Sequence, residues 1–339
     1  MIKLNKYHRG MSLIEILVAL ALSLLIMGGA ITLLSNNKRV YKDQNEMGRL
    51  QENARFGIEI LIKDIRMAGY VGCVDNIDNI QNHLNGASND DNIFAIQNPI
   101  EGSDNAANWV PSNSSDQVAT MATGTDGITI RYLDPNGMQP TAKMPTTSAN
   151  IQVTNVAGLE IGDIIGVADC ESAEVFEITG FPSTDKIQHN TGATAFVGNA
   201  TKVLQKRYGD DAFIVKFVAN RYYIRANGFG NNSLYRQEAN GNVLELIEGV
   251  DSMQLLFGED TNNDTIADQY VNAAAVGATN WNNVVSVRLA LLINGVDQNF
   301  SGNQDTTTYN MLGTNVGPFN DYRRRKIFTN TVSIRNRGS

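Results

Sequence analysis

The sequence predicts an α+β protein, in which a long N-terminal helix packs on a predominantly antiparallel β-rich head. Three observations carry that expectation. An apolar run from Met11 to Leu34 is interrupted only by Ser12, Glu15, Ser23 and Thr32. The next stretch, 35–68, is polar but keeps apolar residues at helical spacing. From about Gly127 onward, short runs alternate apolar and polar residues between turn residues, the mark of half-buried strands.

The first run is long enough for a bilayer. Met11–Leu34 spans roughly 36 Å as a helix, against about 30 Å of hydrocarbon. Lys3, Lys6 and Arg9 precede it, so the positive-inside rule keeps the start cytoplasmic and sends the remainder outward. An ordinary secretory signal has an apolar core of about 7 to 15 residues followed by a small-residue cleavage site. Here the small residue, Gly10, comes before the apolar run. Cleavage at that point removes the basic leader 1–10 and keeps the helix. Glu15 is the anomaly, since a carboxylate at helix-centre depth costs on the order of 3 kcal/mol. It needs either an interfacial position or a partner, and cutting the bond between Gly10 and Met11 creates an α-amine on Met11.

The amphipathic continuation, 35–68, places Val40, Met47, Leu50, Ala54, Ile58, Leu61, Ile65 and Ala68 on one helical face. Proline is absent between Met11 and Ala68, and Gly69 is a stop signal, so one helix of about 57 residues, roughly 85 Å long, is the economical reading. A break at Ser35, Asn36 and Asn37 is the alternative. The β-rich head then occupies 69–339. Its strand candidates are ITIRYL, IQVTN, DIIGVAD, AEVFEITGF, FIVKFV, YYIRANG, SLYRQE, VLELIEGVDSMQLLFG, VVSVRLALLI and KIFTNTVSIRNR, with NG turns at Asn227-Gly228 and Asn240-Gly241. Residues of about 75–126, rich in Asn, Ser, Asp and Gly, read as a surface excursion with little core of its own.

RG followed by MSLIEILVALALSLLIMGG resembles the class III leader of type IV pilins and type II secretion pseudopilins. Met11 stands where many members have Phe, and the first proline is Pro99. Further blocks resemble PilW-type minor pilins of the type IV pilus: RLQENARFGIEILIKDIRMAGYVGC, GVADCESAEVFEITG, LIEGVDSMQLLFGEDTNNDTIADQYV, VVSVRLALLI and RRRKIFTNTVSIRNR. The resemblance implies a type IV pilin-like fold and prepilin-peptidase cleavage between Gly10 and Met11, with methylation of the new N-terminus. It also implies pairing of Glu15 with the N-terminal amine of a neighbouring subunit. The implied function is pilus assembly, as part of a minor-pilin priming or tip complex. The implied partners are other minor pilins, the major pilin, the inner-membrane assembly platform and a tip adhesin. Before assembly the protein would be a single-pass inner-membrane protein with a periplasmic head, and afterwards part of the surface fimbrium. A type II secretion minor pseudopilin and a membrane-tethered periplasmic binding protein are the alternatives.

Only two cysteines occur, Cys73 and Cys170, too few for a disulfide scaffold and not spaced for zinc. Both fall in blocks that resemble the PilW-type pattern, and on the outward side of the membrane thiols tend to pair. A bridge between them is therefore expected, with two buried free thiols as the alternative. Asp260, Asn262, Asp264 and Asp268 occupy positions 1, 3, 5 and 9 of an EF-hand-like loop, with the Ile266 carbonyl at 7, so the stretch reads either as a Ca2+ site or as an acidic turn closed by Asx hydrogen bonds. Thr265 replaces the turn glycine and Val271 the closing glutamate, with Glu259 as a nearby replacement.

Enzymatic readings find little support. His8 lies in the leader, His83 and His189 lie in polar segments away from any G-x-S-x-G signature, and the GFG at Gly228–Gly230 lacks the third glycine of a dinucleotide loop. No catalytic residues are expected. The formal charge is −8, and three of the 27 basic residues lie in the first ten, so the remainder is more acidic still and nucleic acid is not an expected partner. Arg323, Arg324, Arg325, Lys326, Arg335 and Arg337 make the C-terminal stretch locally basic, either a solvated strand face or a docking surface for an acidic subunit.

Overall fold

The computed structural model describes residues 10–74, 79–85, 93–105, 121–192, 197–277, 280–295 and 303–337. Helix α1 runs unbroken over Leu13–Met67 through Ser35–Asn37, about 80 Å end to end. Ser12 caps it in an extended conformation, and the chain leaves the helix through Ala68 and Gly69, whose φ of 73° is open to glycine. Leu13–Leu34 is exposed throughout, whereas Leu50, Ala54, Gly57, Leu61, Asp64 and Ile65 are buried. Of the apolar stripe, Val40 lies below the head and remains 52% exposed. Gly57 allows close approach to the head, because a Cβ there would meet Ile247 Cδ1 at 2.1 Å.

The head is built from β1 (Ile80–Asn82), β2 (Ile100–Ser103), β3 (Gly127–Met138), β4 (Ile151–Gln152), β5 (Ile164–Ala168), β6 (Ala173–Glu177), β7 (Gly180–Ser183), β8 (Lys186–Gln188), β9 (Phe213–Ala226), β10 (Asn232–Glu238), β11 (Val243–Glu248), β12 (Val250–Glu259), β13 (Gln269–Val271), the short helix α2 (Ala273–Val276), β14 (Val284–Asn294), β15 (Tyr309–Met311), β16 (Thr314–Val316) and β17 (Arg325–Ser333). The runs FIVKFV and YYIRANG form one strand, β9, because the intervening Ala219, Asn220 and Arg221 are buried and continue the ladder. Strand β9 is the hub of the larger sheet. It pairs with β3 along one edge, and with β5 at its start and β10 at its end along the other. All its pairings are antiparallel, and among the described residues the one parallel pairing in the sheet joins β1 to β6.

VLELIEGVDSMQLLFG bends at Gly249, with φ 85°, so that β11 stays at the edge of the larger sheet while β12 enters a second, four-stranded sheet ordered β13-β12-β14-β17. Alternate residues of β14 face opposite ways, as strand geometry requires. Leu289, Leu291 and Ile293 join the core shared by α1 and both sheets, while Ala290 and Leu292 pack under the β15–β16 hairpin beside Met311.

The described part of 75–126 departs from the expected surface excursion. It supplies β1 and β2, and Ile80, Leu84, Ile93, Phe94, Ile96 and Ile100 are buried. Composition concealed this because short apolar pairs, such as Ile93-Phe94, sit between polar residues, and their burial depends on a distant cation. Arg131, itself wholly buried, donates from Nε to the Ile93 carbonyl, from Nη1 to the Asn98 carbonyl and from Nη2 to Glu101. The remainder of that stretch lies outside the described residues.

Candidate assembly site

The N-terminal end of α1 brings together Gly10, Met11, Ser12 and Glu15. Gly10 and Met11 precede the helix, outside regular secondary structure, and are exposed. Ser12 and Glu15 form a reciprocal capping box. The Glu15 N–H donates to Ser12 Oγ at 3.3 Å, and Ser12 N–H donates to Glu15 Oε2 at 2.9 Å, with Ser12 Oγ 3.2 Å from the same oxygen. A carboxylate in the first turn also faces the positive end of the helix dipole. Glu15 thus has a local partner in the single chain, the cap residue Ser12.

The stem meets the head through a buried carboxylate absent from the sequence-based candidates. Asp64, 6% exposed, accepts from Tyr132 OH at 3.1 Å, Tyr222 OH at 2.6 Å and Asn220 Nδ2 at 2.6 Å. Burial first, and the Asp64 charge second, push both tyrosine hydroxyls well above their usual range. A signal was present: Asp64 stands three residues after Leu61 and beside Ile65, on the apolar face, where an acid needs donors. The same junction borders a cleft of about 390 Å³ that Lys63, Lys216, Arg236, Asp134 and Glu238 help to line.

Cys73 and Cys170 are bonded, with Cα atoms 4.7 Å apart and 97 residues between them in sequence. The bridge ties the segment after α1 to the turn joining β5 and β6. In that turn Asp169 accepts from Lys206 at 2.6 Å, and from the N–H groups of Glu171 and Ser172. These donors hold its carboxyl below the ordinary range against the upward push of burial.

In the loop Asp260–Asp268, Asp260 accepts from the N–H groups of Asn262, Asp264 and Thr265. Asp264 accepts from Ile266 N–H, and Asp268 accepts from Thr261 through both its N–H and its hydroxyl. Asn262 Nδ2 lies 3.2 Å from both Asp264 Oδ2 and Asp268 Oδ1. Among the described residues, no group of three or more His, Cys, Asp or Glu side chains is drawn together as a metal site.

The basic C-terminal stretch is divided by its partners. Arg325 is sunk among Asp251 at 2.7 Å, Asp305 at 2.9 Å and Asp321 at 2.5 Å, over the Phe319 ring. Arg324 reaches Asp43 on the stem at 2.7 Å. Lys326 and Arg335 are exposed. His83 and His189 are both buried, and His83 Nε2 lies 2.5 Å from Glu174 Oε2.

A long helix with an exposed apolar half, joined to a mostly antiparallel β head, is consistent with an α+β, type IV pilin-like fold. Residues 5–31 match the family model described as the prokaryotic N-terminal methylation motif. Residues 221–336 match the model described as type IV pilus-assembly protein W. Together the two matches support a PilW-type minor pilin of the type IV pilus. No curated protein and no solved structure matches the chain.

Proposed function

We propose that a prepilin peptidase cuts this chain between Gly10 and Met11, and that the mature protein then joins a minor-pilin priming or tip complex in type IV pilus assembly. The observation that carries this reading is the arrangement at the start of α1: an exposed, non-helical Gly10–Met11 bond directly before a capped helix whose first turn holds Glu15. In the membrane the Ser12–Glu15 box lowers the cost of the carboxylate. In the filament, the Met11 amine of a neighbour replaces the Ser12 donors with a charged partner, so register is set by an interaction available only to processed subunits.

On this reading the apolar half of α1 anchors the chain in the inner membrane with the head in the periplasm, and later packs in the filament core. The head contacts other minor pilins, the major pilin and a tip adhesin. The role is assembly and involves no turnover. Intact-mass measurement tests the processing step: a mature chain beginning at methylated Met11 is expected, and a chain retaining Met1 would overturn it. Glu15→Val is expected to insert into the membrane normally and to be depleted from sheared pili at least tenfold, whereas undiminished incorporation would exclude the register role.

We also propose that the Asp260–Asp268 loop takes Ca2+ through Asp260, Asn262, Asp264, the Ile266 carbonyl and Asp268. Support comes from the spacing of oxygen-bearing side chains along the loop, and from carboxylates that retain lone pairs beyond those the backbone engages. Calcium is expected to raise the unfolding temperature of the wild-type chain and not of Asp264→Ala. An equal response from both would leave the loop as an Asx-bonded turn.

A further inference from the structure

Strand β17 is the outermost strand of the four-stranded sheet, and one of its edges is unused. Its pairing with β14 runs over nine residues, Arg325 to Ser333, without a register shift. Gly295 N–H donates to the Arg324 carbonyl and Ile334 N–H to the Val285 carbonyl, so the even-numbered residues of β17 direct their backbone groups into the β14 ladder. The N–H and C=O groups of Ile327, Thr329, Thr331 and Ser333 therefore point away from the sheet, and among the described residues no backbone group meets them. Thr329, Asn330, Thr331 and Ser333 are exposed. Open edges are ordinarily protected by Pro, a bulge or a central Lys. Ile327–Ser333 has none of these.

The direction of the edge matters as much as its openness. Arg324, just before β17, pairs with Asp43, and Asn336, just after it, donates to the Met67 and Ala68 carbonyls. The strand therefore runs parallel to the packed half of α1, its nine residues covering roughly 30 Å beside about 36 Å of helix between Asp43 and Met67. A subunit whose own helix lies alongside α1 presents its head at the height of this edge. Charge narrows the occupant further. Arg324 and Arg325 are committed to aspartates, leaving Lys326 at one end of the edge and Arg335 beyond the other as exposed cations, with no acidic residue after Asp321.

We propose that β17 is the docking edge for an extended segment of a different pilus subunit, bearing a carboxylate near each end, which adds to the sheet as a fifth strand. Backbone pairing along four outward residues supplies affinity, and Lys326 and Arg335 set register. This rests on the pilin reading above, but the experiment separates the two.

Place a photo-crosslinking residue at Ser333 of the full-length chain in its host, with a control site at Asn315 on the β15–β16 hairpin. Ser333 is expected to capture a pilus subunit through a peptide containing Asp or Glu. Thr329→Pro with Thr331→Pro removes two outward donors while sparing the β14 ladder, and should cut that capture at least tenfold. Formation of the Cys73–Cys170 bond reports that the variant has folded. Thr329→Lys with Thr331→Lys, which keeps every backbone group, should do the same and decides the matter if the prolines disturb folding. Wild-type capture by the lysine pair, or capture only of a second copy of this chain, would overturn the proposal. Absence of the wild-type chain from sheared pili would instead count against the pilin reading.

Discussion

Asp43 on the stem and Arg324 at the entry to β17 meet at 2.7 Å across 281 residues of sequence. The contact lies seven residues before Leu50, the first buried stem residue among the described residues. Both side chains are partly exposed, so the pair is worth about 0 to 1 kcal/mol. A double-mutant cycle with Asp43→Asn and Arg324→Gln should return a coupling below about 1 kcal/mol that shrinks as salt is added.

Asp64 is expected to matter far more. Asp64→Ala leaves Tyr132, Tyr222 and Asn220 without an acceptor in a buried junction, and should destabilise the detergent-solubilised chain by about 3 kcal/mol in urea denaturation. Tyr132→Phe removes only the longest of the three bonds, with an expected cost near 1 kcal/mol. An Asp64→Ala effect no larger than that of Tyr132→Phe would show that the junction is held by apolar packing alone.

Cys73→Ser should lower stability by about 4 to 5 kcal/mol on the loop-entropy account, given the separation of 97 residues. Reduction of the wild type should have a comparable effect and slow its migration on a non-reducing gel. A much smaller loss would indicate that the segment after α1 is already held by its backbone bonds, such as Gly69 N–H to the Arg131 carbonyl.

The Arg325 cluster should respond to acid. Its hydrogen bonds to Asp321, and with Thr307 its bonds to Asp305 against the opposing effect of burial, hold both carboxyls below their ordinary value of 3.8. A carboxyl depressed in the folded state contributes stability above that value and loses it as pH falls through the folded pKa. Burial raises Asp251 despite Arg325, so its contribution has the opposite sign. The prediction is that hydrogen exchange of 303–322 accelerates below about pH 4. Arg325→Leu should show fast exchange already at neutral pH, because the three carboxylates then lose the one guanidinium bonded to all of them.

Asp126 adds a second sign. Burial raises it to about 6, against hydrogen bonds from the Asn105 and Leu255 N–H groups. A raised carboxyl favours the folded state at low pH, and that contribution is lost as pH rises from about 4 through 6. Thermal unfolding of the wild type should show this slope, and Asp126→Asn should flatten it.

The stem stripe was legible because its period is local. Leu50, Ala54, Leu61, Ile65 and Ala68 were identified by spacing alone and are buried. Spacing could not say that Val40 would remain exposed, since this depends on where the head begins. Most strand segments were legible for the same reason, but the fusion of two runs into β9 was not, because buried Asn220 and Arg221 read as a turn when their neighbours are unknown. Composition likewise misread Ile93 to Ile100, whose burial depends on Arg131.

By itself the sequence determined what each segment must do with its own surface: an apolar run that seeks a membrane or a filament core, an amphipathic stem that seeks a sheet, and a carboxylate placed to cap a helix. Such properties are written in residues a few positions apart, where periodicity and capping act. Tertiary structure decided which distant groups meet: Asp64 with two tyrosines, Arg325 with three aspartates, Cys73 with Cys170, and β17 at the margin of its sheet. Those pairings require closing loops of tens to hundreds of residues, and the energy that selects them comes from burying charge and backbone together once the whole chain has folded.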